Sequence, residues 1–386
     1  MPSSRRLVLY ALAAVLSAAV WQALTIHYNF GGNWTALFCT GSKSPAPPAA
    51  LASEHIYVFA GTEGYDGQFY HYIAHDPLLL RGFVSSIDAP RFRYRRILVP
   101  LLAWLAAAGR DRLVDRAYLA EIWLWVFAGA LWTGLAAAAR GAGPTWTLAF
   151  LAVPAVIVSL DRLTVDIALA ALTAGIVYYL ERRNWTAVVA LGVAAGLTRE
   201  SGLLIPAALM LWCILERRWA RAIGAALALV PALAWYSYVA AHTPASDPER
   251  LLSPIPFAGI VTRALHPAHY PFGLALNALA AILDYAALAG LVAALVYCVV
   301  HRRRLARQPD GLMAFAFAAL VVFTAHGGVW QDAYAFARGY SPLLLLVALD
   351  GAGSRPTAAL PIALTAPRIA LQLSKQALGV IRGIAG

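Results

Sequence analysis

The chain has 386 residues, of which 61% are hydrophobic and only 13% carry a charge, and its mean hydropathy is +0.66. Soluble domains carry about 25% charged residues, so an ordinary soluble domain is excluded and much of this chain faces lipid. The formal net charge is nevertheless +11, from 30 Lys and Arg against 19 Asp and Glu. These cations are scattered between apolar runs, which argues against a nucleic-acid-binding face.

The first apolar run extends from Leu7 to about His27 and follows Arg5 and Arg6. It has the length of a membrane crossing, and no small-residue cleavage site stands where a signal peptide needs one. We therefore predict a retained first transmembrane helix, and the two arginines place its N-terminal end in the cytoplasm. Residues 29–96 follow as a long segment that lies outside the cytoplasm if the first helix crosses once.

Further apolar runs follow one another closely, and several are shorter than the ~20 residues that a perpendicular crossing needs. The sequence predicts an all-α, polytopic membrane protein with about 10 to 11 transmembrane helices in one domain, residues 1–350. Its first outer loop, 29–96, is expected to carry short interfacial helices and the catalytic residues. A cytoplasmic tail with an amphipathic helix is expected over 351–386. The runs lie near 97–109, 117–139, 145–160, 166–181, 185–198, 202–216, 221–241, 272–300, 311–325 and 340–350.

Basic clusters between the runs fix the predicted orientation, and with the N-terminal arginines they hold half of the cations on the cytoplasmic side. One conflict remains, because three runs between residues 97 and 160 leave Asp161 inside, whereas the clusters place it outside. The segment 144–160, which holds Pro144 and Pro154, is the expected exception. The clusters are Arg182/Arg183, Arg217/Arg218/Arg221, Arg302/Arg303/Arg304/Arg307 and the tail residues Arg355, Arg368, Lys375 and Arg382.

The other half of the cations falls mostly on the predicted outer side, against the orientation rule. An arginine cluster there suits a phosphate or pyrophosphate, because the guanidinium fork matches phosphate oxygens. For a single arginine, headgroup anchoring or an internal salt bridge is the more frequent role, but for the group as a whole we favour phosphate. These cations are Lys43, Arg81, Arg91, Arg93, Arg95, Arg96, Arg110, Arg112, Arg116, Arg140, Arg162, Arg199, Arg250, Arg263 and Arg338.

The segment YDGQFY at residues 65–70 is the strongest local signal in the outer loop. Asp66 is flanked by Gly64 and Gly67, which let the backbone bend and a second molecule approach. Tyr65, Gln68 and Tyr70 are candidate substrate contacts. Asp66 has two interpretations: it is the N-cap of a short helix, or it is a general base that takes a proton from an acceptor hydroxyl.

Charged residues further along the chain extend the candidate site. Asp166 opens a predicted crossing and is either a helix cap or a donor-site residue. Arg199 and Glu200 either belong to the site or form an internal ion pair. The candidate phosphate contacts are Arg93, Arg95, Arg96, Arg162, Arg199 and Arg338.

His71 and His75 lie four residues apart, on one face of a helix, which suits a metal ion. With no further His or Cys close in sequence, we expect ordinary interfacial histidines and predict no cofactor, although a divalent metal is left open. The cysteines Cys39, Cys213 and Cys298 have neither the number of a disulfide framework nor the spacing of a metal site. P-loop, GxSxG and HExxH motifs do not occur, which removes the usual support for nucleotide hydrolases, lipases and zinc peptidases.

The retained first helix, the long outer loop with its YDGQFY motif and the many short apolar runs resemble the GT-C class of integral membrane glycosyltransferases. The segment YDGQFYHYIAHDP looks like the acidic first-loop motif of the GPI-mannosyltransferase-like branch. Residues 161–201 are similar to a stretch of protein O-mannosyltransferases and aminoarabinose transferases, and in layout the resemblance covers roughly residues 5–240. The matching residues in that stretch are Asp166, Arg182, Arg183 and Gly196-Leu197-Thr198-Arg199.

The resemblance implies a polyprenyl-phosphate sugar as donor and Asp66 as the base of an inverting transfer. The acceptor hydroxyl attacks the anomeric carbon, and the lipid phosphate leaves while arginines stabilise it. A phosphate leaving group needs no general acid, so one carboxylate with cations suffices, unlike the two-carboxylate design of glycoside hydrolases. The first loop lacks the adjacent Asp-Glu pair common in protein mannosyltransferases, so the acceptor stays open: a glycopolymer, a glycolipid or a protein of the cell envelope.

Two other functions compete with the enzyme. A transporter or flippase of lipid-linked sugars also needs outer arginines and aromatics, but no internal repeat of fixed period is visible. A non-catalytic subunit of a polysaccharide assembly complex is the third hypothesis. The long acidic outer loop favours the enzyme, which we expect in the bacterial cytoplasmic membrane, surrounded by membrane lipids and with its active site outside. Nucleic acid is not an expected partner.

Overall fold

The computed structural model describes residues 4–245, 252–268, 270 and 273–385. These residues are 75% helical with almost no strand, which confirms the predicted all-α fold. Arg250, one of the predicted outer cations, lies outside the described residues.

The described residues form α-helices of very unequal length, joined by turns and short 3₁₀ segments. The first half of the chain contains α1 (Ser4–Phe30), α2 (Gly67–His75), α3 (Pro90–Arg93), α4 (Leu98–Ala106), α5 (Asp111–Ala139), α6 (Trp146–Ala149), α7 (Pro154–Arg162), α8 (Asp166–Glu181) and α9 (Trp185–Thr198). The second half contains α10 (Leu204–Leu215), α11 (Trp219–Leu227), α12 (Val230–His242), α13 (Ala258–Leu265), α14 (Leu274–Val300), α15 (Arg302–Leu305), α16 (Pro309–Phe323), α17 (Ala333–Gly339), α18 (Ser341–Asp350), α19 (Leu360–Leu371) and α20 (Ser374–Ala385). Two short strands in the first loop, β1 (Thr40–Gly41) and β2 (Val58–Phe59), pair in parallel.

Within the described residues, four helical stretches are long and apolar enough to cross a membrane: α1, α5, the pair α11 and α12, and α14. They have 24 to 29 residues, more than the ~20 that a crossing needs. Shorter apolar helices with 10–17 residues include α9 and α16. The long apolar helices support the predicted membrane protein, whereas the number of crossings is not fixed by helix length.

The stretch from residue 97 to residue 160, where the predicted topology conflicts, contains one long helix and several short ones. α4 and α7 each have nine residues, which corresponds to about 14 Å. Val153 is extended and Pro154 begins α7, so the run at 144–160 is interrupted in the middle. Within this fully described stretch α5 alone has the length of a crossing, and the broken run coincides with the segment that the prolines indicated.

α8 is the central helix, because every residue from Asp166 to Val177 is buried. A helix that is buried on all sides is expected to be apolar all round, and between its ends α8 is apolar except for Thr173, whose hydroxyl donates to the carbonyl oxygen of Leu169. It packs against α5, α9 and α18. Its position places Asp166, at the N-terminal end, inside the protein with 3% of its surface exposed.

The C-terminal helices α19 and α20 pack onto the helical body. α19 lies against α14, where a Cβ at Gly290 would lie only 2.7 Å from the carbonyl oxygen of Pro361. Arg368 is fully buried and its Nε donates to Oδ1 of Asp284 at 2.5 Å, because a buried charge needs a partner. α20 packs on α1 and is the amphipathic part, with the exposed side chains Leu378, Ile381 and Ile384.

The first loop is held against the bundle by α2, which is buried at every residue from Gly67 to His75. Gly67 is required at its start, because a Cβ there would lie 2.0 Å from the carbonyl oxygen of Arg162 at the end of α7. Just before the helix, the amide of Tyr65 donates to the carbonyl oxygen of Cys39 at 2.9 Å. These contacts fix the intervening residue, Asp66, between the loop and the bundle.

Candidate active site around Asp66

Asp66 precedes α2 at the N-cap position, but its side chain makes no capping hydrogen bond. Its oxygens face two arginines instead. Oδ1 lies 2.9 Å from Nη1 of Arg93, and Oδ2 accepts a hydrogen bond from Nη2 of Arg338 at 2.8 Å. The structure therefore does not use Asp66 as a cap, and it brings this carboxylate to an arginine that lies 272 residues further along the chain.

Several contacts hold the Arg338 side chain, and its guanidinium still has unsatisfied hydrogen-bond donors. It lies in α17, and Asp332 caps that helix by accepting from the amide of Ala335 at 2.8 Å. Its guanidinium carbon lies 4.9 Å from the centre of the Tyr65 ring, and Nη1 lies 3.6 Å from Oδ2 of Asp166. Nε and Nη1 are buried without a hydrogen-bond partner among the described residues. Unsatisfied buried donors are costly, so this guanidinium is suited to receive a further anionic oxygen.

Two more ion pairs surround Arg338. Arg199, at the end of α9, pairs with Asp166 at the start of α8. Arg96 pairs with Glu200, with Nε 3.1 Å from Oε2, and its Nη1 donates to the hydroxyl oxygen of Tyr70 at 2.8 Å. We call this set the arginine–carboxylate cluster: Asp66, Arg93, Arg96, Asp166, Arg199, Glu200 and Arg338. It has four guanidinium groups and three carboxylates, so its formal charge is positive.

The electrostatic environment keeps Asp66 ionised. Burial favours the neutral carboxyl, but the charges of Arg338, Arg93 and Arg96 outweigh it and hold the pKa of Asp66 well below its usual range. The carboxylate is therefore available as a proton acceptor at neutral pH. Its basicity is weak for as long as both arginines remain on it.

Two of the predicted substrate contacts, Tyr65 and Tyr70, contact arginines of the cluster, whereas three others lie apart from it. Gln68 is 1% exposed, and its side chain bonds to the loop, including the amide of Gly41 at 3.1 Å. Arg162 pairs with Asp161, with Nε 3.0 Å from Oδ2. Arg95 stacks on the ring of Tyr236 at 5.5 Å. These side chains support the surrounding structure, and the structure gives them no contact with Asp66.

Arg93 links the cluster to the protein surface. Its Nε and Nη2 donate to the two oxygens of Asp88 at 3.0 and 2.8 Å, a two-point contact on the side opposite to Asp66. The Asp88 side chain is 40% exposed, whereas that of Arg93 is 12% exposed. Asp88 therefore pairs with Arg93 at the rim of the cluster.

A second group of polar side chains was missed in part by the sequence analysis. His71 and His75 are both 0% exposed, so the expectation of interfacial histidines is wrong. The fold brings Glu54 and Asp115 to them, within 4.8 Å between the ligand atoms. The spacing of the histidines is a visible signal in the sequence, whereas the two carboxylates come from segments that only the fold places together.

A cavity of about 1080 Å³ opens beside this second group and not beside Asp66. Its walls include Glu54 and Asp115 and the aromatic side chains of Trp34 and Trp123. The cavity and the arginine–carboxylate cluster therefore indicate two different places for a functional site. We base the candidate active site on the converging charges, because carboxylates and cations carry the chemistry, whereas volume alone does not.

Comparison of the chain with models of protein families, with curated proteins and with solved structures gives no match. The function is therefore inferred from the arrangement of side chains. The relevant observations are a buried carboxylate between two arginines, a guanidinium with unsatisfied donors, and a body of long apolar helices.

Proposed function

We propose that the protein is a membrane glycosyltransferase that moves a sugar from a polyprenyl-phosphate donor to a hydroxyl of a cell-envelope acceptor, with inversion. The observation that carries this proposal is the contact of Asp66 with both Arg93 and Arg338. The carboxylate provides a base, and the guanidinium groups provide a site for the phosphate that leaves. The acceptor is a glycopolymer, a glycolipid or a protein.

In this mechanism Asp66 accepts the proton of the acceptor hydroxyl as its oxygen attacks the anomeric carbon. The bond between that carbon and the phosphate oxygen breaks, and the electron pair leaves with the lipid phosphate. The phosphodiester carries one negative charge and the released phosphate carries more, so fixed cations stabilise the charge that develops. Arg338 is suited to this role because its Nε and Nη1 have no hydrogen-bond partner among the described residues.

Binding of the donor also changes Asp66. In the resting state the two arginines compete with any proton for the carboxylate. A phosphate that recruits Arg338 weakens this competition, because the guanidinium then shares its charge between two anions. Asp66 becomes more basic when the donor is in place, which limits proton abstraction to the loaded site.

The proposed topology places the N-terminus in the cytoplasm of a bacterial cell, the active site outside, and ten or eleven segments in or across the cytoplasmic membrane. Charged residues at the opposite end of several helices support this arrangement. Arg140 contacts Glu181 and Asp310 at 2.8 and 2.6 Å, and Arg304 contacts Asp350. These ion pairs adjoin the basic clusters that the positive-inside rule assigns to the cytoplasm.

A carrier of lipid-linked sugars is the second candidate, because it would use the same arginines without a base. The experiment that separates the two is transfer by Asp66→Asn. We expect the variant to lose transfer by at least about a hundredfold while it still binds the donor, because the amide cannot accept the proton. The assay follows radiolabelled sugar from a polyprenyl-phosphate donor to acceptors extracted from envelopes.

Glu63→Gln is the matched control, since Glu63 is an exposed carboxylate of the same loop. It is expected to transfer at the parental rate. Transfer by Asp66→Asn at the parental rate would refute the assignment of the base. Uptake or flipping of the donor by a parent protein that transfers no sugar would establish the carrier instead.

A further inference from the structure

Two histidines and two carboxylates from three separate segments converge on one point at the far end of α2. His71 and His75 are one turn apart on the same face of this helix. Glu54 ends the 3₁₀ segment Ala49–Glu54, and Asp115 lies one turn into α5. The four ligand atoms lie within 4.8 Å of one another.

The distances between these atoms match one type of metal site. Nε2 of His71 lies 2.8 Å from Oδ1 of Asp115 and 3.5 Å from Oε2 of Glu54. Nε2 of His75 lies 3.3 and 3.5 Å from the same two oxygens. Four ligands at 2.0–2.2 Å around a tetrahedral Zn²⁺ lie about 3.4 Å from one another. The four distances between the histidine nitrogens and the carboxylate oxygens, 2.8 to 3.5 Å, are therefore close to those of a tetrahedral ligand set, and all four atoms lie within 4.8 Å of one another.

Several of these atoms lack hydrogen-bond partners although they are close together. Both nitrogens of His71 and both carboxylate oxygens of Glu54 are buried without a hydrogen-bond partner among the described residues. The His71 ring stacks on Phe38, with the centroids 4.1 Å apart and the planes at 5°. The stacking contact holds the ring, and its Nε2 lies 2.8 Å from Oδ1 of Asp115 without the geometry of a hydrogen bond.

The imidazole of His75 is hydrogen-bonded from behind by a carboxylate, as metal-binding histidines usually are. Nδ1 of His75 lies 2.9 Å from Oδ1 of Asp111, and Nε2 faces the shared centre. Asp111 is held in turn by Arg81, whose Nη1 and Nη2 donate to its two oxygens at 2.6 and 3.0 Å. A carboxylate behind the imidazole fixes the ring and raises its strength as a ligand.

We propose that Glu54, His71, His75 and Asp115 bind one Zn²⁺ ion. The two carboxylates balance the charge of the ion, and imidazole nitrogens favour zinc over Mg²⁺ and Ca²⁺, which prefer oxygen ligands. Four protein ligands complete a tetrahedral shell, so the site is structural. It fastens the first loop, α2 and α5 to each other. This inference rests on the geometry of the site and is independent of the proposed transferase activity.

The test is the metal content of the full-length protein, purified in detergent with a tag that contains no histidine. Plasma mass spectrometry is expected to find about one zinc per chain. His71→Ala and Asp115→Asn are expected to lose at least nine tenths of it. His55→Asn is the control: His55 is exposed and adjoins Glu54, and asparagine tolerates its left-handed φ of 49°. The control is expected to keep the zinc.

A measurement on the unchanged protein covers the case in which a ligand variant does not fold. Chelation is expected to lower the melting temperature, and Zn²⁺ but not Mg²⁺ or Ca²⁺ is expected to restore it. Co²⁺ in place of zinc is expected to give the visible absorption of tetrahedral coordination. The proposal is wrong if the protein contains no zinc after growth with zinc and its melting temperature responds neither to chelation nor to added zinc. The histidines would then only form ion pairs with the carboxylates. Iron or manganese at one per chain would overturn the assignment of zinc.

Discussion

Two buried polar groups lie at opposite ends of α2, and they differ in the source of their positive charge. In the arginine–carboxylate cluster, Asp66 faces permanent cations, because a guanidinium does not lose its proton in proteins. Around His71 and His75 the carboxylates face imidazoles, which bind a metal when they are neutral. The first arrangement has one more cation than carboxylates and unsatisfied guanidinium donors, which suit a further anion. The second has, among the described residues, ligand atoms without hydrogen bonds around a shared centre, which suit a cation.

The arginine–carboxylate cluster and the histidine group are connected by α2. The helix has nine residues, all buried, with Asp66 before its first residue and His75 at its last. Metal at one end orders the helix that presents the carboxylate at the other. Loss of zinc is therefore expected to affect the arginine–carboxylate cluster through position, whereas changes in that cluster leave the zinc in place.

The largest effect is expected from Arg338→Ala, which removes a cation on Asp66 and the proposed contact for the leaving phosphate. Loss of one preorganised donor for a developing charge costs a factor of about 10² to 10³ in rate. Arg338→Lys is expected to recover only part of the activity, because an ammonium lacks the planar fork. The zinc content is expected to stay at the parental value in both variants, as measured by mass spectrometry.

Arg112→Ala is the comparison variant for Arg338→Ala, since Arg112 is exposed and lies outside the cluster. Size-exclusion profiles show whether each variant is folded. Parental transfer rates for a folded Arg338→Ala would remove this arginine from the mechanism.

A smaller effect is expected from Asp111→Asn, behind His75. The change weakens the hydrogen bond that orients the ring, and loss of such an outer contact lowers metal affinity about 10- to 100-fold. A competition titration with a zinc-binding dye measures the affinity. Because Arg81 also holds Asp111, Arg81→Ala is expected to weaken zinc in the same direction and by less. Unchanged zinc affinity in Asp111→Asn would contradict the proposed support of His75.

The sequence predicts the local part of each site and misses the long-range part. The YDGQFY segment singles out Asp66, and the spacing of His71 and His75 places both on one face of a helix. Their partners are distant in sequence: Arg338 lies 272 residues from Asp66, and Asp115 lies 40 residues from His75. Such contacts depend on how the helices pack, which no local pattern encodes.

Buried ion pairs limit what the positive-inside rule predicts about orientation in this chain. Basic residues were assigned to one side of the membrane by their position between apolar runs. Arg368 fits that assignment in sequence, yet it is fully buried against Asp284 of α14, and Nη2 of Arg263 contacts the same aspartate at 2.5 Å. An arginine with a buried carboxylate partner is retained for pairing, so its position carries no information on orientation.

The smallest effect is expected from Asp88→Asn, which tests where the arginine–carboxylate cluster ends. Asp88 is 40% exposed, and exposed ion pairs contribute about 0.2–1 kcal/mol, so its loss changes the position of Arg93 little. Arg93 keeps its contact with Asp66 at 2.9 Å. Without the Asp88 carboxylate its positive charge is neutralised less, so it attracts a phosphate more strongly. We expect a KM for the donor that is lower by less than about fivefold, with kcat unchanged, from initial rates at several donor concentrations. A loss of kcat of tenfold or more would show that the exposed carboxylate orients Arg93, and the cluster would then include its rim.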